Sequence, residues 1–300
     1  MEKLAEPLQH GLLRPAEPEL LPRPTNWLAT ILLAAAFVGL FFYPLRELVI
    51  DWSIDPNYEH GFLIPFISGY LIWQKRAQLR QASFRPEWAK GFVFLALAML
   101  LFILATATAE WFLARISMLL ALYGIVICFG GLVLFRTLAV PLLYLGFMIP
   151  LPYVLYHRLT FPLQQISSYS AFQVMSALGL AGLREGNILH FQDFSLEVIE
   201  ACSGLRSIMV LLALSALIAY LASLPNIWRW FLFAAAVPVA IVANVFRLVI
   251  LGFLGIFWDK EVVKSLLHEG SGVIVFVCGL FLLIGMAGVL QWFSSRKHIG

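Results

Sequence analysis

Charge is scarce in this sequence. Only 12% of its 300 residues are Asp, Glu, Lys or Arg, about half the share of an ordinary soluble domain. A polar surface large enough to cover a water-soluble fold of this size is therefore excluded. Cysteine is scarcer still: Cys128, Cys202 and Cys278 are the only three, too few for a disulfide framework. There is no Gly-rich phosphate loop and no cluster of Cys, His, Asp and Glu at ligand spacing, so neither a cofactor nor a metal is expected. The net charge of +3 is small and scattered. A nucleic-acid partner would call for a concentrated basic stripe.

What is present is apolar. Hydrophobic residues make up 61% of the chain and the mean hydropathy is +0.89, so the surplus apolar surface must face lipid. The expected fold is all-α, a polytopic membrane bundle of about eight helices. Stretches of roughly 20 apolar residues place the spans near 27–46, 60–75, 90–109, 112–135, 137–152, 204–223, 228–257 and 270–293. No internal repeat is evident. Residues 1–26 are polar and Pro-rich and read as a disordered cytoplasmic leader without a cleavable signal. Residues 27–293 form the membrane domain, and 294–300 a cytoplasmic tail.

Basic residues orient the spans. Lys75, Arg76, Arg80, Arg85 and Lys90 crowd one loop, whereas residues 47–60 hold four acidic residues and no Lys or Arg. The 75–90 loop is thus assigned to the cytoplasm, as are both termini. Segments 153–203 and 258–269 then lie outside, which brings Cys202 and His268 to one membrane face. Within 153–203, a helix with a Ser- and Gln-rich polar face is expected near 162–179. An alternation of Phe194, Leu196 and Val198 with Ser195, Glu197 and Ile199 suggests a hairpin or extended piece leading into Cys202.

The residues that could do chemistry are few. In VIEACSGLRS, Cys202 stands where an apolar helix begins, so its thiol feels the positive end of the helix dipole, which favours the thiolate. Arg206 is one turn on and adds to that field. The plainer alternative is a small apolar residue at a helix start, the reading given to Cys128 and Cys278 within their apolar runs. Arg247 in VANVFRLVI interrupts a long apolar helix about 28 Å from its cytoplasmic start, with Asn244 on the same face. Such a charge normally has a task, although snorkelling would also explain it. His268 in LLHEGSG has a pKa suited to general base or acid work. His60 in YEHGFLIP, with Glu59 beside it, reads as structural or substrate-contacting. His157 and His190 have no motif around them, and His10 and His298 fall on the cytoplasmic side.

EACSGLRS, then NVFRL, then a His opening the last span, in that order on a scaffold of about eight spans, resembles the exosortase/archaeosortase family. YEHGFLIP is similar to its amino-terminal signature. The resemblance runs from about residue 30 to 290. It implies an inner-membrane cysteine peptidase or transpeptidase with its site facing the exterior. Its partners would be membrane-anchored proteins ending in a Pro-Glu-Pro motif, one membrane helix and a basic tail. By position, Cys202 is then the nucleophile, Arg247 the essential arginine and His268 the third catalytic residue. Arg206, Asn244, Glu59 and His60 are supporting. Two other classes are compatible with the composition: a transporter with arginines lining an anion path, and a non-catalytic assembly factor for envelope polymers.

Overall fold

The computed structural model describes residues 27–82, 84–191, 195–198, 205–222, 224–257 and 271–296. The leader, Cys202, His268, the 258–269 loop and residues 297–300 lie outside the described residues, as do Phe194 and Ile199 of the alternating stretch. Helices occupy every expected span. They are α1 (Trp27–Leu40), α2 (Phe42–Ile54), α3 (Leu63–Gln74), α4 (Arg76–Gln81), α5 (Trp88–Thr108), α6 (Trp111–Thr137), α7 (Ala139–Tyr144), α8 (Tyr153–Ala177), α9 (Leu205–Leu221), α10 (Asn226–Phe257) and α11 (Ser271–Arg296).

Length by itself supports four to six crossings among the described residues and does not confirm the count of eight. About 20 residues are needed to rise through about 30 Å of hydrocarbon. Among the described residues, α5, α6, α10 and α11 are long and apolar enough to cross alone. The α1–α2 pair, bent by 67°, and the pair formed by Ala139–Met148 and α8, bent by 83°, raise this to six if each is one span. Expected spans two and six are helical but short, with 12 residues in α3 and 17 in α9. The architecture is the expected polytopic helical bundle, built from full-length and partial spans.

α5 shows how the apolar surplus divides. Phe92, Val93, Leu97, Leu100, Ile103 and Leu104 are exposed and form the lipid face. The opposite face is a seven-residue ladder of small side chains, Gly91, Ala98 and Ala105, all buried, against α6. Small residues let two membrane helices approach closely. A Cβ on Gly91 would stand 2.2 Å from Cys128 Sγ, so Cys128 is a packing residue, as expected. Cys278 on α11 is half-buried.

Breaks in membrane helices strand backbone groups that lipid cannot satisfy, and side chains meet that need here. Around short α7 and the 3₁₀ turn Leu145–Met148, Ser68 Oγ donates to the Pro141 carbonyl at 2.8 Å and Tyr123 donates to Leu142 at 3.0 Å. Trp52 Nε1 donates to Met148 at 2.9 Å, and Lys75 caps the Thr137 carbonyl. α6 breaks at Gly131, where φ is +67°, a conformation open to glycine. The freed Leu132 N–H donates to the Glu87 carboxylate at 3.0 Å.

α10 carries the end of the bundle that faces away from the basic 75–90 loop. It runs unbroken through Pro238 for 32 residues, about 48 Å, well beyond a membrane's hydrocarbon core. α8 packs along its far half. A three-stranded antiparallel sheet, β1 (Gly182–Glu185), β2 (Ile188–Phe191) and β3 (Ser195–Glu197), caps them. The β1–β2 link is a two-residue Gly186–Asn187 turn, a typical tight-hairpin pair. Arg184 donates to Gln165 and Ser168 of α8, which pins the hairpin to the helix. Leu196 and Val198 are buried with Leu189, Met175, Leu248 and Leu251, while Ser195 and Glu197 are exposed. The expected alternation thus holds over the described part of the segment before Cys202.

Candidate active site

The loops sort to two ends of the bundle. At one, Lys75 lies over the Tyr220 ring and caps Thr137, and the other basic residues of 75–90 follow. At the other end gather the acidic 51–59 segment, the α5–α6 turn, residues 149–152 and the sheet. Contacts across the chain tie this second end together. Among them is the ion pair of Arg206 with Glu59, at 3.1 Å over 147 positions. It joins the turn before α3 to the first turn of α9, directly after the Cys202 motif.

This pair positions more than it stabilises. Its side chains are 38% and 61% exposed, and pairs of that exposure contribute about 0–1 kcal/mol. The effect on charge is larger. Arg206, expected to lend its charge to the thiolate, shares it with Glu59.

His60 follows Glu59 in the 3₁₀ turn Glu59–Phe62, ahead of α3. Burial lowers its pKa, outweighing the Phe147 carbonyl that acts the other way, and the nearby Arg206 charge lowers it further. The neutral form of the ring is thereby favoured. Gly61 fits because it lacks a side chain: an added Cβ would stand 2.2 Å from Trp52 Nε1, and that indole is buried and held by Met148. Gly61→Ala is expected to destabilise the protein by about 1–3 kcal/mol, the usual cost of overpacking. A detergent thermal-stability assay would register the lower midpoint. An unchanged midpoint would mean that Trp52 can yield.

The second group lies between α8 and α10. Asn244 is fully buried and its Nδ2 donates to Ser167 Oγ at 3.0 Å; Arg247, one turn on, is 4% exposed. The polar stripe of α8, Thr160, Gln164, Ser167 and Ser168, is buried as well. The Ser- and Gln-rich face therefore turns inward onto α10 and not to water. Because α9 and α10 form a hairpin, rise per residue gives their relative heights. Leu205 stands about 24 Å above the turn, Asn244 about 27 Å and Arg247 about 31 Å. Arg206, at about 22 Å, thus stands roughly 9 Å below Arg247.

A buried arginine escaped the sequence reading. Arg115, 3% exposed on α6, pairs with Asp51 at 2.7 Å. The argument applied to Arg247, a guanidinium inside an apolar run, would have found it. The pair lines a cavity of about 440 Å³ at the acidic end, together with Asp55, Tyr58, Glu110 and Tyr156.

Residues 52–285 match the family model of transmembrane exosortases. The chain belongs to that family. The match takes in Glu59, His60, Cys202, Arg206, Asn244, Arg247 and His268. Exosortase membership implies a membrane protein-sorting peptidase acting on membrane-bound proteins. No curated protein and no solved structure matches this exosortase.

Proposed function

We propose that this exosortase is a thiol peptidase or transpeptidase of the inner membrane. It processes secreted proteins that end in a Pro-Glu-Pro motif, a membrane helix and a basic tail, with its site facing the exterior and both termini in the cytoplasm. The observation that supports this reading is the Glu59–Arg206 pair at the start of α9, with Asn244 and Arg247 buried on the far half of the neighbouring α10. Cys202 is three residues before Leu205, so chain geometry keeps it within about 11 Å of that point.

In the proposed reaction the Cys202 thiolate attacks a carbonyl carbon near the Pro-Glu-Pro motif. The C–N bond then breaks, His268 gives a proton to the leaving amine, and a thioester remains on Cys202. Water or an amine attacks the thioester and releases the thiolate. Arg247 stabilises the oxyanion or holds the substrate. Glu59 and Arg206 position the start of α9, and His60 packs beneath them. The acid-lined cavity would repel an acidic motif, so the Glu of Pro-Glu-Pro is assigned to the arginine side.

Co-expression with a tailed substrate tests the activity. The expected result is a shorter substrate lacking its membrane helix; a substrate that stays full-length with the exosortase present in the membrane would overturn it. Reporter fusions at Gly186 and Lys264 test the sidedness. The basic 75–90 loop against the acidic 47–60 loop requires both fusions to report the exterior, and cytoplasmic activity at either would refute the placement.

A further inference from the structure

A groove at the basic end of the bundle has no part in the proposed chemistry. It opens between α7 and the α9–α10 hairpin, with a volume of about 470 Å³. Tyr144, Phe147 and Phe233 wall it, and Ala216 and Ala219 leave room along α9. Its lower end is polar: Asn226 and Arg229 lie there, in the first turn of a 32-residue helix. Lys75 sits over the ring of Tyr220, another lining residue.

The Arg229 side chain makes no ion pair and no hydrogen bond to the described residues, and its Nε is buried. Arg229 is half-buried and keeps its positive charge at the groove's mouth, where an anion is a favourable partner. No acidic residue lines the groove. Arg229 and the positive end of α10 favour a negative group there. The apolar walls above favour a hydrocarbon chain. One molecule offers both ends in that order and reaches the groove from the side, along the membrane leaflet. Basic pockets between membrane helices hold lipid headgroups on this principle.

We propose that this groove binds an anionic phospholipid, with its phosphate on Arg229 and the start of α10 and one acyl chain between α7 and α9. The site is independent of Cys202. The test uses purified full-length protein in nanodiscs, with phosphatidylglycerol carrying a diazirine on its acyl chain. Wild-type protein should be labelled on peptides containing Phe147, Ala216 or Phe233. Unlabelled phosphatidylglycerol should compete at least about tenfold better than phosphatidylcholine, and inorganic phosphate should not compete, because it lacks the chain. Arg229→Gln should lower labelling by about tenfold or more, and Ala216→Leu should reduce it by filling the groove. Both variants are first checked for wild-type elution and thermal midpoint; if either misfolds, the competition series on wild-type protein decides. Labelling spread evenly over lipid-facing helices would overturn the proposal. Equal competition by the two lipids, competition by free phosphate alone, or displacement only by a tailed substrate helix would also overturn it.

Discussion

Cys202→Ala and Cys202→Ser should each leave a tailed substrate unprocessed while the protein accumulates in the membrane at its normal level. A loss of at least about 10³-fold is expected for the removal of an activated nucleophile. The serine variant is the more telling of the two. It keeps a nucleophilic atom of similar size, but a hydroxyl does not ionise near neutral pH in the field of a helix start. The surroundings favour this thiol over the other two. Cys128 is buried against Gly91 and Cys278 lies on α11, both within apolar helices and outside the Cys202 motif. Cys202 falls between Val198, the buried end of the sheet segment, and Leu205, where α9 begins. With Arg206 engaged by Glu59, removing that pairing has its own signature. Glu59→Gln would leave the Arg206 charge unshared and so favour the thiolate further, which shifts the acid limb of the pH–rate profile downward. Full processing by Cys202→Ala would sink the nucleophile assignment, because no other cysteine is placed to substitute.

The sequence was a good guide to where helices stand and a poor one to how they close. Apolar run length located every span, since burial in lipid is a property of each segment alone. It does not fix the count of full crossings, because α3 and α9 are helical yet short, and because bends at Phe41 and between Met148 and Tyr153 divide others. Those breaks persist through side chains that reach distant carbonyls, such as Trp52 to Met148 across 96 positions, and pairings of that range leave no local pattern. The polar face of α8 was legible as polar. Its direction was not, since Ser167 is satisfied by Asn244, 77 positions away. The Glu59–Arg206 pair is similar: each residue was marked by its own motif, and only the fold joins them. Arg115 shows a different gap, a signal that was present and not read.

Arg247→Lys should insert normally and lose most of its activity, by about tenfold or more. Arg247 is 4% exposed, about 31 Å up α10, on the half of that helix that packs against α8. Both neighbours on its face are committed: Asn244 to Ser167 and Leu251 to the apolar cluster under β2 and β3. A guanidinium held in such a place is oriented, and its planar fork can meet a carboxylate or an oxyanion with two parallel hydrogen bonds. Lysine keeps the charge and loses that geometry. Snorkelling makes no such demand, since an ammonium on a flexible stem reaches the interface as well as a guanidinium does. Arg247→Leu separates the remaining effects. Removing the charge eases insertion, so the leucine variant should reach at least wild-type levels and process nothing. The measurement is substrate conversion per unit of membrane-inserted enzyme for the three proteins side by side. Near-wild-type conversion by Arg247→Lys would move Arg247 from the reacting groups to the structural ones, and the oxyanion would then have to be held by other groups.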